Sequence, residues 1–294
     1  MDNLTSPRVV KSILDKHGFH FTKSLGQNFL IDDNILKKIV EAANLSKDDR
    51  VLEIGPGIGT LTRELGTLAH KVVAVEIDQR LIPILKETLA GFDNVSVIQG
   101  DILKIDLVEL VHNSFDGKPF KVVANLPYYI TTPIIMGILE RGLPFESITV
   151  LIQKEVAQRM VASPGSKEYG ALSVAVQYYT IPRSVAKVPA SVFMPPPKVD
   201  SMIVTMERRK EPPVFVEDRK LFFDVVHASF AKRRKTLLNN LISAKEILEG
   251  WTRQEIEELL WECGIDPQRR GETLNVEEFA SISNSILYKK KSKL

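Results

Sequence analysis

The stretch VLEIGPGIGT, residues 51–60, decides the fold class of this chain. It begins as an apolar run typical of a buried strand, continues into a loop with three glycines, and reaches Thr60, where a helix can begin. The sequence predicts strands at residues 50–54, 71–76, 95–98, 121–124 and 148–152, and helices at 33–45, 60–69, 79–89 and 133–140. Strands separated by helices indicate an α/β fold with a doubly wound, Rossmann-like parallel sheet.

The second half of the chain has a different pattern. Residues 172–180, 184–188 and 200–207 show strand-like alternation and are expected as antiparallel additions to the sheet. The stretch RKEPP at 209–213 marks a boundary, because apolar residues beyond it recur with helical spacing. The chain is therefore expected to form a Rossmann-like domain and a small all-α domain, at residues 1–208 and 209–294.

Two capping boxes support the helical interpretation of the C-terminal domain. They are Thr252-x-x-Glu255 and Asn275-x-x-Glu278. In such a box the first side chain accepts from a backbone N–H of the helix, and the glutamate accepts from the backbone N–H of the first residue. We expect a helix to begin after Thr252 and another after Asn275.

Composition excludes several classes of protein. The 294 residues are 44% hydrophobic, and no apolar run is long enough to cross a bilayer. The N-terminus lacks the layout of a signal peptide, so a cytoplasmic protein without membrane contact is expected. The single Cys263 excludes an intrachain disulfide and a cysteine-based metal cluster, and no metal is expected. Because the net charge is only +2, a nucleic-acid site must be a local patch.

The glycine loop predicts a cofactor without phosphates. Its spacing is G-x-G-x-G, whereas dinucleotide-binding loops have G-x-G-x-x-G, and Pro56 removes a backbone donor that a pyrophosphate would need. Glu76 and Asp101 follow the next two strands, where they can accept from ribose hydroxyls and from an adenine amino group. Each could instead be a solvated charge at a strand end, but their order along the sheet favours S-adenosylmethionine. The glycine spacing disfavours a dehydrogenase.

The tetrapeptide Asn125-Leu126-Pro127-Tyr128 predicts a site for a planar amine. The side-chain oxygen of Asn125 and the carbonyl of Leu126 can both accept hydrogen bonds from an NH2 group. Pro127 restricts the backbone, and Tyr128 offers a flat face to a base. This arrangement suits methylation of an exocyclic amine if a methyl donor lies nearby. The alternatives are an ordinary Asn-x-Pro turn and an aromatic ring that only packs.

Four segments together resemble one known family. They are LGQNFL (25–30), EIGPGIGTLT (53–62), NLPYY (125–129) and F-x-P-x-P-x-V-x-S (193–201). The chain resembles the ribosomal RNA adenine dimethyltransferase family, in its small-subunit branch, from about residue 20 to residue 280. The resemblance implies N6,N6-dimethylation of two adjacent adenosines in the loop of a 3′-terminal hairpin of 16S rRNA, and a role in small-subunit biogenesis.

The resemblance also implies roles for individual residues. Asn125 and Tyr128 would hold the target adenine, and Phe193 would stack on its other face. The residues that would bind the cofactor are Asn28, Leu30, Gly55, Gly57, Glu76, Ile77, Asp101, Ile102 and Asn125. Without the resemblance, Gln27-Asn28-Phe29 is typical of a helix-capping loop, and Phe193 of a buried residue in a proline-bounded turn.

The densest basic run is the candidate RNA contact of the helical domain. It comprises Lys232, Arg233, Arg234 and Lys235. On a helix, four consecutive side chains point in all directions, so they cannot all face a core, and phosphate contact competes with a solvated helix face as the interpretation. Further basic candidates are Arg269, Arg270, the lysine tail, Lys154, Arg159 and Lys167.

Two rival functions remain open at this point. One is dimethylation of a single adenosine in large-subunit rRNA, as in resistance-type relatives; the extended helical domain and Leu126 favour the small-subunit branch. The other is a non-catalytic assembly or nucleic-acid-binding protein with the same fold, which the intact Glu76, Asp101, Asn125 and Tyr128 disfavour. We expect the protein to act on the small ribosomal subunit. We also expect a monomer, because the sequence has no clear stripe of residues for contact with a second copy.

Overall fold

The computed structural model describes residues 3–22 and 25–292. Its chain forms two compact units: Met1–Ala157 with Pro182–Arg208, and Gln158–Ile181 with Arg209–Leu294. The predicted boundary at residue 209 coincides with one point at which the chain changes unit, whereas the prediction kept residues 158–181 with the first domain. The predicted division into a methyltransferase domain and an RNA-contacting domain stays a prediction.

The first unit is built on a mixed sheet of seven strands. Its parallel strands are β2 (Arg50–Ile54), β3 (Lys71–Glu76), β4 (Val95–Gln99), β5 (Phe120–Asn125) and β6 (Phe145–Gln153). β7 (Thr180–Val188) and β9 (Ser201–Arg208) complete the order β4-β3-β2-β5-β6-β9-β7, and β9 runs antiparallel to β6. The short strands β1 (Phe29–Leu30) and β8 (Phe193–Met194) form a separate antiparallel pair. The α/β fold class is thereby confirmed.

Helices connect the strands of this unit. They are α1 (Pro7–Lys16), α2 (Asp33–Ala43), α3 (Thr60–Leu68), α4 (Ile82–Thr88), α5 (Leu107–Phe115), α6 (Thr131–Glu140) and α7 (Lys154–Val161), of which α7 continues into the second unit. Capping residues mark the starts of several helices: Asp32 caps α2 by accepting from Ile35 N at 2.9 Å, and Asp106 caps α5. The sequence did not predict α1, α5 or α7.

The topology places a binding crevice beside β2. β2 pairs with β3 on one side and with β5 on the other, so the order of the strands reverses there. Ligands of open α/β sheets bind outside the carboxyl ends of strands at such a point. The glycine loop follows β2 and Asn125 ends β5, so both lie at this crevice.

The second unit is helical. It contains α8 (Ala171–Tyr179), α9 (Arg219–Phe230), α10 (Leu237–Ile242), α11 (Arg253–Glu262) and α12 (Val276–Ser292). Both predicted capping boxes are confirmed: Glu255 N donates to Thr252 Oγ1 at 3.2 Å, and Glu278 N donates to Asn275 Oδ1 at 2.8 Å. In the described part of the chain, no helix is long and apolar enough to span a membrane.

One predicted strand is wrong. Residues 172–180 are mostly helix α8, whose side chains are buried on nearly every side, including the consecutive residues Val174, Ala175 and Val176. A helix that is apolar all round loses the 3.6-residue pattern by which helices are identified. Tyr178 packs against Phe222, with ring centroids 5.1 Å apart, and this aromatic contact joins α8 to the other helices of the unit. The expected strands at 184–188 and 200–207 are confirmed as parts of β7 and β9.

Candidate active site

The loop between β2 and α3 adopts a backbone that requires glycine. Gly57 has φ +62°, in the left-handed region, and a Cβ there would lie 3.1 Å from two ring carbons of Phe29. Gly59, at φ +89°, is the N-cap of α3. The loop is therefore tight, and the N-terminal segment that carries Phe29 packs directly on it.

A cavity opens at the ends of β2, β3 and β5. Its walls come from the N-terminal segment 25–30, from the glycine loop, from the end of β3, and from the turn after β5. Ten of the predicted site residues line it: Asn28, Leu30, Gly55, Gly57, Glu76, Ile77, Asn125, Leu126, Pro127 and Tyr128. The fold thus brings together residues that are up to about a hundred positions apart in the sequence.

Glu76 links β3 to the glycine loop. Its side chain is buried, with Oε2 accepting from Gly57 N at 3.2 Å and Oε1 from Asp78 N at 2.8 Å. Burial raises the pKa of Glu76 to about 7, and the two backbone donors oppose that rise. A carboxyl group at the cavity wall is therefore held in place by backbone bonds.

Glu53 is a second buried carboxyl that the sequence did not single out. It is 1% exposed, it lines the cavity, and its Oε2 has no hydrogen-bond partner among the described residues. Burial raises the pKa of Glu53 to about 8; the nearby hydroxyl of Thr62 opposes this rise and the charge of Glu76 adds to it. The available signal was an acidic residue inside the apolar run of β2.

The charge of the cavity wall narrows the ligand class. Two buried glutamates line it, and none of its described lining residues is Lys or Arg. A pyrophosphate would leave its negative charges facing carboxyls without a cation to bind them. A ligand without phosphate groups suits this wall.

Asn125 ends β5 with its amide in a defined orientation. Its Nδ2 donates to the main-chain carbonyl of Asn28 at 3.1 Å. Because a carbonyl can only accept, the side-chain atom that faces the Asn28 carbonyl must be the amide nitrogen. The side-chain oxygen Oδ1 therefore points the other way, and no described residue donates to it. The turn beyond is held by a bond from Leu126 N to Leu151 O at 3.1 Å. The arrangement leaves an acceptor at the cavity that an NH2 group can use.

Tyr128 follows in a single 3₁₀ turn, Tyr128–Ile130. Its hydroxyl lies 2.5 Å from Oγ of Ser201, at the start of β9. Burial raises the pKa of the Tyr128 phenol, and the nearby charge of Asp200 adds to the rise. The phenol therefore stays protonated near neutral pH, and the ring can interact with a ligand through its face.

The N-terminal wall is held by side-chain bonds. Gln27 donates from Nε2 to Asp78 Oδ2 at 2.7 Å and accepts from Thr22 N at 3.0 Å. Arg80 pairs with Asp78 at 2.6 Å and also donates to Thr22 Oγ1 at 2.7 Å. The helix-capping interpretation of Gln27-Asn28-Phe29 is wrong, because Phe29 begins β1 and Asp32 caps α2. We call the described residues 19–22 and 25–30 the N-terminal strap.

Three predicted residues lie outside the cavity lining. Asp101 is partly exposed after β4, where its Oδ1 accepts from Leu103 N at 3.0 Å, and Ile102 beside it is buried. Phe193 is 2% exposed; it lies opposite Leu30 in the β1–β8 pair and packs in a hydrophobic cluster. Phe193 thus has the buried position that the sequence allowed, and its stacking role stays a prediction.

The basic run is not on a helix. Lys232, Arg233, Arg234 and Lys235 are all exposed and lie in the loop between α9 and α10. The helical expectation is wrong because α9 ends at Phe230 and Thr236 caps α10. The loop is held by one bond within it and one outside it: Lys235 N donates to Lys232 O at 2.9 Å, and Arg233 donates to the carbonyl of Lys167. Arg269, another basic candidate, forms an ion pair with Glu278.

Comparisons with known proteins identify the family of this chain. Residues 18–287 match the family model of ribosomal RNA adenine dimethylase. The chain is 54% identical over 286 residues, covering 97% of this chain and 99% of the relative, to ribosomal RNA small subunit methyltransferase A of Alkaliphilus metalliredigens. It is 53% identical to the protein of the same name from Clostridioides difficile, over the full length of both chains.

Solved structures extend the comparison to the fold. A dimethyladenosine transferase from Plasmodium falciparum superposes with a TM-score of 0.76 at 28% identity, covering 90% of this chain and 98% of that one. The 23S rRNA methyltransferase ErmE superposes with a TM-score of 0.68 at 29% identity, covering 88% and 99%. The family match over most of the chain, the full-length relatives and the shared fold lead to one conclusion: this chain belongs to the ribosomal RNA adenine dimethylase family and is a methyltransferase.

Proposed function

We propose that this chain uses S-adenosylmethionine to convert two adjacent adenosines, in the loop of a 3′-terminal hairpin of 16S rRNA, to N6,N6-dimethyladenosine. The observation that carries the proposal is the open side-chain oxygen of Asn125 at a cavity with an acidic wall. The small-subunit substrate is supported by the full-length relatives, which are named small subunit methyltransferases.

The cavity fits the proposed cofactor. The unpartnered buried oxygen of Glu53, the buried Glu76 and the lack of Lys or Arg among the described lining residues suit a cofactor that has no phosphate groups and can donate hydrogen bonds. When bound, S-adenosylmethionine supplies a methyl group activated by positively charged sulfur. The residues that would hold it are Asn28, Leu30, Gly55, Gly57, Glu76, Ile77, Asp101, Ile102 and Asn125.

Asn125, Leu126 and Tyr128 would orient and activate the amine. The N6 lone pair of adenine is delocalised into the ring and is a weak nucleophile. Accepting the two N6 protons at Asn125 Oδ1 and at the Leu126 carbonyl favours a pyramidal nitrogen whose lone pair points toward the methyl donor. The face of Tyr128 stabilises the positive charge that develops on nitrogen. The alkylated nitrogen is acidic and loses its proton to water, so no side chain has to act as a base.

The RNA must present an unpaired or flipped adenosine to this site. Phe193 is proposed as the second stacking face because of the family resemblance. Since Phe193 is buried opposite Leu30, its ring would have to become accessible before a base could stack on it. A cytoplasmic monomer is part of the same proposal.

The first test is methyl transfer from labelled S-adenosylmethionine to purified, unmethylated small ribosomal subunits, with large subunits as the parallel substrate. We expect N6,N6-dimethyladenosine in small-subunit RNA alone. Label in large-subunit RNA would mean that the substrate is large-subunit rRNA, as the name of the 23S rRNA methyltransferase ErmE indicates for that protein. If the protein binds small subunits tightly but labels neither RNA, it is an assembly factor and not the proposed enzyme.

The basic loop is proposed to contact RNA phosphates, since all four side chains are exposed. We expect the double variant Lys232→Ala/Lys235→Ala to bind small subunits several-fold more weakly, and the dependence of log Kd on log salt to become shallower by about 2. Lys37→Ala/Lys38→Ala, two exposed lysines on α2, is the matched charge control. Equal salt slopes for the two double variants would contradict the contact.

A further inference from the structure

Ser201 is a buried hydroxyl that touches the site from a distant strand. It is 0% exposed, and its Oγ lies 2.5 Å from the hydroxyl of Tyr128, 73 residues away in the sequence. Ser201 is the first residue of β9 and pairs with Gln153, the last residue of β6, in a ladder that continues to Glu207. Its backbone is therefore fixed to the sheet.

Tyr128 lacks such backbone support. It lies in a 3₁₀ turn of three residues, Tyr128–Ile130, and its ring can rotate about two side-chain torsions. A hydrogen bond at the far end of the ring restricts both torsions at once. Among the described residues, Ser201 is the only hydrogen-bond partner of the Tyr128 hydroxyl, so the orientation of the ring depends on this one contact.

Ring orientation should matter unequally in the two methyl transfers. In each transfer the bond from methyl carbon to sulfur breaks with its electron pair remaining on sulfur, a bond from that carbon to N6 forms, and an N6 proton goes to water. At the first transfer the amine has two N–H groups for Asn125 and Leu126. At the second it has one N–H and an added methyl group, so contact with the ring has a larger share in holding it.

We propose that Ser201 is a positioning residue that holds the Tyr128 ring for the second methyl transfer. This inference rests on the proposed function. It assigns a role to the final serine of the segment F-x-P-x-P-x-V-x-S, whose sequence alone indicates none.

The test compares Ser201→Ala, Tyr128→Phe and the double variant on unmethylated small subunits. Mass spectrometry of digested RNA measures N6-methyladenosine and N6,N6-dimethyladenosine at equal total methylation. We expect Ser201→Ala to accumulate the monomethyl product and to slow the second transfer about three- to tenfold, as the loss of one hydrogen bond implies. The KM for S-adenosylmethionine should change less than about twofold. Tyr128→Phe should act similarly, and the double variant should be no worse than either.

A second buried serine separates positioning from general stability. Ser229 is 1% exposed in α9, and its hydroxyl donates to Val225 O at 2.7 Å. Ser229→Ala loses a comparable bond and should keep the wild-type product ratio. A wild-type ratio in Ser201→Ala, or additive losses in the double variant, would overturn the role of Ser201 while the proposed function stands. A wild-type protein that makes no dimethyladenosine would overturn the proposed function and this inference with it.

Discussion

The two walls of the cavity are held by different kinds of interaction. The inner wall consists of strand ends and the glycine loop, where backbone pairing fixes Glu53, Glu76 and Asn125. The outer wall is the N-terminal strap. Its Phe29–Leu30 pair with β8, but its Gln27 is held by a side-chain bond to Asp78, which also pairs with Arg80, and Arg80 in turn donates to Thr22. Substitutions in the inner wall should therefore change kcat or the free energy of unfolding, and those in the strap should change the Kd of the cofactor.

Asn125→Ala should have the largest effect on activity. It removes the open acceptor and the bond to the Asn28 carbonyl. We expect kcat for methyl transfer to fall by about two to three orders of magnitude, the range seen when one preorganised polar group is removed from an active site. The melting temperature should change little, because the residue is at the end of β5. Asn94→Ala, which also removes an amide bonded to main-chain carbonyls, is the matched control. A similar kcat in both variants would contradict the proposed role of Asn125.

Glu53→Gln should change the pH dependence of stability. The folded-state pKa of Glu53 is raised to about 8 from 4.5, so its protonated form contributes stability that is complete below pH 4.5 and is lost as the pH rises through about 8. The glutamine side chain of the variant cannot ionise. We expect the free energy of unfolding of the variant, relative to wild type, to rise by about 2–4 kcal/mol between about pH 5 and pH 8.

Urea denaturation at a series of pH values across that window measures this difference directly. Glu76 is present in both proteins, so its own titration largely cancels. Parallel curves for wild type and Glu53→Gln would mean that the buried carboxyl is solvated or paired in solution. The inner wall would then lack the buried, unpaired carboxyl group that distinguishes it from the strap.

Asp78→Ala tests the strap. It removes the acceptor shared by Gln27 and Arg80. We expect the Kd for S-adenosylmethionine to rise about tenfold, because one charge-assisted hydrogen bond is worth about 1.5–3 kcal/mol and only part of that loss reaches the ligand. At saturating cofactor, kcat should stay within about threefold of wild type. Calorimetric titration and steady-state kinetics separate the two quantities.

The control for Asp78→Ala should show the smallest effect. Glu87 forms an exposed ion pair with Lys16, and neither residue lines the cavity. Glu87→Gln should change the free energy of unfolding little, as is usual for exposed pairs, and leave the cofactor Kd unaltered. If Asp78→Ala instead lowered kcat at saturating cofactor as strongly as Asn125→Ala, the distinction between the two walls would fail.

Much of the first unit was predictable from the sequence for a local reason. The alternation of apolar runs with amphipathic segments predicted the five parallel strands, and the glycine spacing located the turn between β2 and α3. In the second unit, capping boxes at Thr252 and Asn275 marked two helix starts correctly. Each of these signals depends on residues within a few positions of one another.

The errors arose where the environment outweighed the local pattern. Helix α8 is buried nearly all round, so its period was hidden, and the basic loop at 232–235 was assumed to continue a helix that ends at Phe230. The site roles of Asp101, Ile102 and Phe193 are not among these errors: the three residues lie outside the lining of the cavity, and their roles stay predictions. Their proposed roles require contacts that form with ligand or RNA.

By itself, the sequence determined the α/β class, the glycine turn and the family. Short-range backbone preferences and motif spacing carry that information. Only the tertiary structure decided that Glu53 is a buried acid at the cavity, that Gln27 is held by Asp78, and that Ser201 meets Tyr128. Those partners are 51 and 73 residues apart in the last two cases, and their meeting depends on how strands and loops pack, which no local pattern of residues records.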